Sequence, residues 1–235
     1  MHPAAVVLIL QLTRGEHLSE LISSSDRVSW VLPKVKLDHA RANGIVIDED
    51  TVTVADVSAS VASIDNGVAT LDSHADVTTI DVPRRHRSKR TISDTSTIDA
   101  RNTPQRVRLS PEEAATADLP AGAVTVGSAW TTHESVLTTL GSGTLFIRHT
   151  VTANAGGRIT VQIHGAGKIV GVEYDLPHLL PGSMSLTGSA VFDRSTGTFI
   201  SEHYDMHNSL LKPDGTEHIG FDEHESMSIT TNIDR

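Results

Sequence analysis

Apolar and polar residues alternate with a period of two along most of the chain. The stretch "VSASVASIDNGVATLDSHADVTTI", Val57 to Ile80, carries the pattern most clearly. Asn66-Gly67 marks a hairpin turn, because both residues accept positive φ. A two-residue loop would set Val61 opposite Asp72 and mix the faces. A three-residue loop, Asp65-Asn66-Gly67, sets Val61 opposite Leu71 and Val57 opposite Ala75. It gathers Val57, Ala59, Val61, Leu71, Ala75 and Val77 on one face, with Ser58, Ser60, Asp72, His74 and Asp76 on the other. Because a one-residue slip moves every side chain to the wrong face, the pattern selects the three-residue loop.

The second half continues in the same way. Strands flank a turn at Asn154–Gly157, with Leu145, Ile147, His149, Val151, Ile159, Val161 and Ile163 on one face. "GKIVGVEYDL" reads as a further strand, and "MSLTGSAVFDRSTGTFISEHYDMHNSLL" as a long hairpin turning at Asp193–Gly197. Helical signals are few. Glu16–Ser23 suits a helix, and "SPEEAATA" offers Ser110 as N-cap, Pro111 at the first helical position and Glu113 three residues after the cap. Ala4–Leu12 reads as a buried first strand, with Arg14-Gly15 opening the next turn. Each half holds one tryptophan, Trp30 and Trp130, followed by successive hairpins.

These elements predict a mainly β chain. Its expected form is a strongly curved antiparallel sheet, a half-barrel or open barrel of about ten or more strands with one or two short helices. A β-sandwich is the alternative. Residues 1–235 are expected to form a single domain, with a polar basic loop or connection at 83–109 separating two halves.

Composition narrows the function. There is no cysteine, which removes disulfides, thiolate metal sites, a cysteine nucleophile and a lipid-anchored cysteine. The net charge of −10 argues against a nucleic-acid partner. The charge is uneven, however. Residues 84–108 carry eight Lys/Arg and two Asp, a net of +6, so the remainder stands at −16. No stretch is long and apolar enough to be a transmembrane helix, and the N-terminus lacks a complete signal-peptide pattern.

The segment "LPAGAVTVGSAW" (Leu119–Trp130), the turn "VFDRSTGTFISE" (Val191–Glu202) and the opening "LILQLTRGEHLSE" are similar to segments of uncharacterised bacterial exported lipoproteins. Those proteins resemble the lipoprotein-carrier half-barrel. The resemblance implies a curved antiparallel sheet whose concave side holds acyl chains. It also implies a non-enzymatic role in the bacterial cell envelope, binding a lipid, another apolar ligand or a protein partner. The chain departs from that pattern in lacking the anchoring cysteine. Candidate lining residues are Val57, Val61, Leu71, Ile147, Val161 and Tyr204.

Candidate chemistry concentrates between Ser201 and Ser226, which hold four of the 13 histidines and seven carboxylates. Pro213-Asp214-Gly215 demands a turn. A four-residue loop, Pro213–Thr216, sets His207 opposite Asp222 and Asp205 opposite His224. His203, Asp205, His207, Asp222 and His224 then share a polar face. Tyr204, Met206, Leu210, Ile219, Phe221 and Met227 share the other, where Glu223 and Glu225 would have to sit at a rim or reach out to water. Cross-strand neighbours about 4.5–5.5 Å apart can share an ion, so Asp205, His207, Asp222 and His224 are the candidate ligands of a divalent metal. A metal-binding protein or metal-dependent hydrolase is therefore one alternative function. A structural or adhesion module using sheet edges and the basic strip is another. "GSGTLF" and "GAGK" lack the spacing and the following helix of a phosphate loop.

Overall fold

The computed structural model describes residues 6–7, 12, 14–44, 48–99, 119–120, 122–137, 141–172, 179–214 and 217–234. Among them are twelve strands and one helix. The strands are β1 (Val6–Val7), β2 (His17–Val31), β3 (Asp48–Asp65), β4 (Val68–Asp81), β5 (His86–Asp99), β6 (Ala123–Val124), β7 (Ala129–Leu137), β8 (Gly141–Ala155), β9 (Arg158–Val172), β10 (Leu179–Asp193), β11 (Thr198–Asp214) and β12 (Glu217–Asp234). The helix α1 spans Lys34–Ala42.

Ten strands form one antiparallel sheet in the order β5-β4-β3-β2-β12-β11-β10-β9-β8-β7. The sheet is curved and open, with no pairing of β5 to β7. It is two meanders, β2 to β5 and β7 to β12, sewn together where β2 pairs with β12 from Val31↔Gly220 to His17↔Asp234. β1 pairs with β6 as a separate two-stranded ribbon.

Alternation sorts the side chains as expected. The core lies on one face of the sheet and is densest over β8 to β12, where Ile147, Val161, Ile163, Ile169 and Ala190 are fully buried. Glycines let this half bend. A Cβ on Gly143 would strike the Lys168 carbonyl, and one on Gly167 would strike the Thr144 carbonyl, so the two backbones approach more closely than any side chain permits.

The β3–β4 register is the one the pattern selects, Val61↔Leu71 and Val57↔Ala75, but it arises differently. The turn is the two-residue Asn66-Gly67 loop, with φ of 52° and 81°, and Asp65 pairs with Val68. A bulge at Ala62 supplies the extra residue that the three-residue loop was expected to supply. The β8–β9 hairpin repeats the device. Gly156-Gly157 turn at φ 61° and 79°, and a bulge at Thr152 follows Val151.

The match extends to the preceding turn. Gly15 N–H donates to Val61 O at 2.9 Å, and Val61 N–H to Glu16 O at 3.0 Å. In the second half Gly127 N–H donates to Val151 O at 2.8 Å, and Val151 N–H to Ser128 O at 2.9 Å. The twofold theme therefore lies in these corners and not in the tryptophans. Trp30 sits at the far end of β2 against Phe221, whereas Trp130 directly follows its corner and stacks on His149.

Several expectations are corrected. Glu16–Ser23 is not helical: His17 onward is strand, because Leu18, Glu20 and Ile22 fall on one face in extended pairing with β3 and β12. The helix is instead α1, entered at Pro33, with a Lys34–Asp38 ion pair at 2.6 Å. It ends at Asn43 and Gly44, the latter at φ 68°. The expected basic loop is largely the edge strand β5, whose residues pair with β4 from Asp81↔His86 to Val68↔Asp99. An edge strand rich in Lys and Arg resists adding a further strand. "GKIVGV" is no separate strand, since β9 runs through it from Arg158 to Val172. The capped segment at Pro111 lies outside the described residues.

Candidate functional site

The two faces of the β11–β12 hairpin carry different chemistry. Pairing runs to Asp214↔Glu217, two residues further than the four-residue loop allows. An even shift preserves the faces and changes the partners: His207 opposes His224, Asp205 opposes Ser226, and Asp222 opposes Ser209.

On the outward face, His207 and His224 stack with centroids 4.1 Å apart and planes 7° from parallel. Asp222 lies beside both. His207 Nε2 meets its Oδ1 at 2.6 Å, and His224 Nε2 meets its Oδ2 at 3.5 Å. These three side chains offer donor atoms within 4.8 Å of one another. Asp205 is not part of the group and pairs with His203 at 3.2 Å. All four candidates therefore share a face, and three of them converge. Asp205, His207 and His224 border a shallow depression with Ser25, Arg27, Ser185 and Thr187. Arg27 is tied there to Asp50 at 2.9 Å.

The inward face differs at its polar positions from the reading above. Glu223 does not reach out to water. It is 2% exposed and accepts a hydrogen bond from Asn208 Nδ2 at 2.7 Å.

Further along the same face lies an apolar cavity of about 260 Å³. It forms where β2, β3, β4 and β5 meet the β10–β11 turn. The inner positions here are small, among them Ala59, Ser73 and Ser96, so opposing side chains do not fill the space. Phe192 and Phe199, in edge-to-face contact at 5.4 Å, form one wall. Leu18, Val57, Leu71 and Ile98 form much of the rest.

Two carboxyls, Glu202 from β11 and Glu20 from β2, line this apolar space. Glu202 is 6% exposed, and its Oε2 accepts a short hydrogen bond from Tyr204 Oη. Burial pushes its carboxyl up to about 7, with the Glu20 charge acting in the same direction and the Tyr204 hydrogen bond opposing it. Burial also raises Glu20, against a hydrogen bond from Thr231 Oγ1 at 3.4 Å. The Tyr204 phenol is pushed up in turn by burial and by the adjacent Glu202 charge.

Of the six residues expected to line a ligand site, Val57 and Leu71 border the cavity. Val61, Ile147 and Val161 are packed core, at most 2% exposed. Tyr204 is buried behind the wall and acts on the cavity through Glu202. Sequence reasoning missed Glu20 and Glu202. Alternation could have found them: Glu202 shares its parity with Tyr204, Met206 and Leu210, and Glu20 lies between Leu18 and Ile22. The helix reading of Glu16–Ser23 hid the second of these.

No known protein family and no curated protein matches the chain. The structure is similar to an outer-membrane channel from Pseudomonas putida F1, with a TM-score of 0.26 and 8% identity over 94% of this chain and 97% of that one. It is also similar to the ETEC pilotin–secretin complex, at TM-score 0.21 and 11% identity over 95% of this chain and 50% of that one. A third similarity is to the type II secretion system outer membrane complex of Klebsiella pneumoniae, at TM-score 0.19 and 10% identity over 95% and 40%. The chain thus spans half or less of the secretin-complex chains it matches.

Proposed function

We propose that the protein is a non-enzymatic binding protein that holds a small apolar ligand against the inner face of its curved sheet. The observation that carries this reading is the cavity between β2–β5 and the Phe192/Phe199 wall, a partly open, mainly apolar space with polar groups at a few fixed points. Such a balance of surfaces is what a small-molecule site requires. The setting we propose is the bacterial cell envelope, in keeping with the sequence resemblance to exported lipoproteins. Filling the cavity tests the reading. Octanol, a neutral probe of a size the cavity accommodates, is expected to bind the full chain saturably at one site in calorimetry, and Ala59→Trp to abolish that binding with the circular dichroism spectrum unchanged. Unsaturable binding, or undiminished binding by Ala59→Trp, would overturn it.

A second reading rests on the convergence of His207, Asp222 and His224 on the outward face. Two imidazoles and a carboxylate suit zinc or another divalent ion, with a remaining position open to water. Equilibrium dialysis against Zn²⁺ tests it: about one equivalent retained by the native chain and none by the His207→Ala/His224→Ala variant. Equal retention by both would end the metal reading.

A further inference from the structure

We infer that the ligand of this cavity carries a protonated amine head, and that Glu202 and Glu20 together form its seat. The inference rests on the proposed apolar-ligand reading and names the chemistry of the ligand's polar end.

The argument begins with what the cavity offers. The charged side chains that line it are Glu202 and Glu20, and among the described residues no Lys, Arg or His joins them. The other polar groups at its surface are the hydroxyls of Thr198 and Thr231 and those of Ser73 and Ser96 on β4 and β5. An anionic head, carboxylate or phosphate, would meet two carboxyls and no counter-charge. A neutral head would gain one ordinary hydrogen bond. An ammonium brings three donors and a charge of the right sign.

The carboxyls also have unused capacity. Tyr204 occupies Oε2 of Glu202, and Thr231 approaches Oε1 of Glu20. Glu202 Oε1 and Glu20 Oε2 have no hydrogen-bond donor among the described residues, although Glu202 is 94% removed from solvent (6% exposed). A buried carboxylate is costly until a cation and hydrogen-bond donors compensate it. Here one phenol holds Glu202 in place, and a second carboxyl repels it. Among the described residues the arrangement lacks a cation, and an incoming ammonium supplies one.

Size sets the body of the ligand. At about 30 Å³ per water-sized unit, 260 Å³ accommodates on the order of nine heavy atoms, the size of an eight-carbon amine. Protons follow from the same geometry. With burial holding Glu202 up at about 7, that carboxyl is partly protonated near neutral pH, and an ammonium would displace the proton on binding. Amine affinity therefore rises from pH 5.5 to pH 8, while an alkylamine, titrating near the lysine value of ~10.4, stays charged throughout.

Isothermal titration calorimetry of the full chain with octylammonium, octanol and octanoate, each below its aggregation concentration, tests the inference. Octylammonium is expected to bind roughly ten-fold or more tightly than octanol, as charge-assisted hydrogen bonds allow, and octanoate more weakly than either. Both bound probes should be lost in Ala59→Trp. Glu202→Gln is expected to remove the amine preference, bringing octylammonium affinity down to that of octanol, and Glu20→Gln carries the same test if Glu202→Gln does not fold. Repeating the titration in buffers of different ionisation enthalpy should reveal the released proton. Equal affinity for octylammonium and octanol, or an amine preference that survives both substitutions, overturns the inference and leaves the apolar-ligand reading standing. Failure of all three probes to bind overturns both.

Discussion

The two halves of the sheet turn the same corner and enclose different interiors. Gly15/Val61/Asn66-Gly67 and Gly127/Val151/Gly156-Gly157 share turn, bulge and anchoring hydrogen bonds. Around the second corner the inner positions are Leu145, Ile147, Ile159, Val161 and Ile163, all at most 2% exposed. Around the first they include Ala59, Ser73 and Ser96, and a cavity remains. One backbone device thus supports a filled half and a hollow half. The corner fixes register and curvature, and side-chain volume alone decides whether there is room for a guest.

The largest test of this contrast is truncation. Ile147→Ala removes a fully buried side chain and is expected to cost about 3–4 kcal/mol in urea unfolding. Leu71→Ala, at the wall of an existing cavity, is expected to cost less than about 1.5 kcal/mol. Equal costs would break the comparison.

Next comes pH, where the cavity and the filled core carry opposite titrations. Glu202, which reaches the cavity from β11, is raised from 4.5 to about 7, so it binds a proton in the fold that it loses in the unfolded chain. Its stabilisation is complete below pH 4.5 and is lost as pH rises through 7, an effect of about 3 kcal/mol. His149 in the filled half is buried against Trp130, with Thr132 at 3.1 Å from Nε2 and no partner for Nδ1 among the described residues. Burial lowers it from 6.5 to about 4. Its contribution is complete above pH 6.5 and is lost as pH falls toward 4, by about the same amount. The two slopes offset between 4.5 and 6.5. Thermal denaturation should therefore be nearly flat across that window in the native chain and sloped in the variants: Glu202→Gln leaves the His149 titration alone, so stability falls toward acid, and His149→Phe leaves that of Glu202, so stability falls toward alkali.

Smaller effects sharpen the picture. Ala59→Leu fills space and is expected to stabilise by about 1 kcal/mol. Gly165→Ala in the filled half places a Cβ 2.9 Å from Leu186 Cβ and is expected to destabilise by about 1–3 kcal/mol. Smallest and most alike should be Gly67→Ala and Gly157→Ala, each about 1 kcal/mol, because both residues hold positive φ with nothing near the added methyl. Chemical denaturation reads all four.

Alternation made the faces legible, because a strand's period of two survives any even change of register. That is why the inner and outer sets of β3, β4, β11 and β12 stood in the sequence. The pairs did not, since turn length and bulges set them: Ala62 restored one register, and pairing on to Asp214↔Glu217 moved another by two. So His207 came to face His224, while Asp205 left the cluster. Glu20 was hidden by a local helical reading that the pairing of β2 with both β3 and β12 overrides. The cavity was not legible at all. It depends on which small residues of β3, β4 and β5 come to lie together, and that is a property of the pairing.

The β2–β12 ladder has a consequence for how the chain acquires its shape. Every other ladder in the sheet joins strands that follow one another directly in sequence, whereas this one joins residues 17–31 to residues 220–234. It works as a clasp. Each meander can zip locally and early, but the two meet only when the last strand arrives, because bringing ends so far apart together is the slow step in folding. The clasp also brings Glu20 to Thr231 and to the wall that holds Glu202. The cavity therefore does not exist in a partly folded chain: it is assembled last, by the same event that completes the sheet.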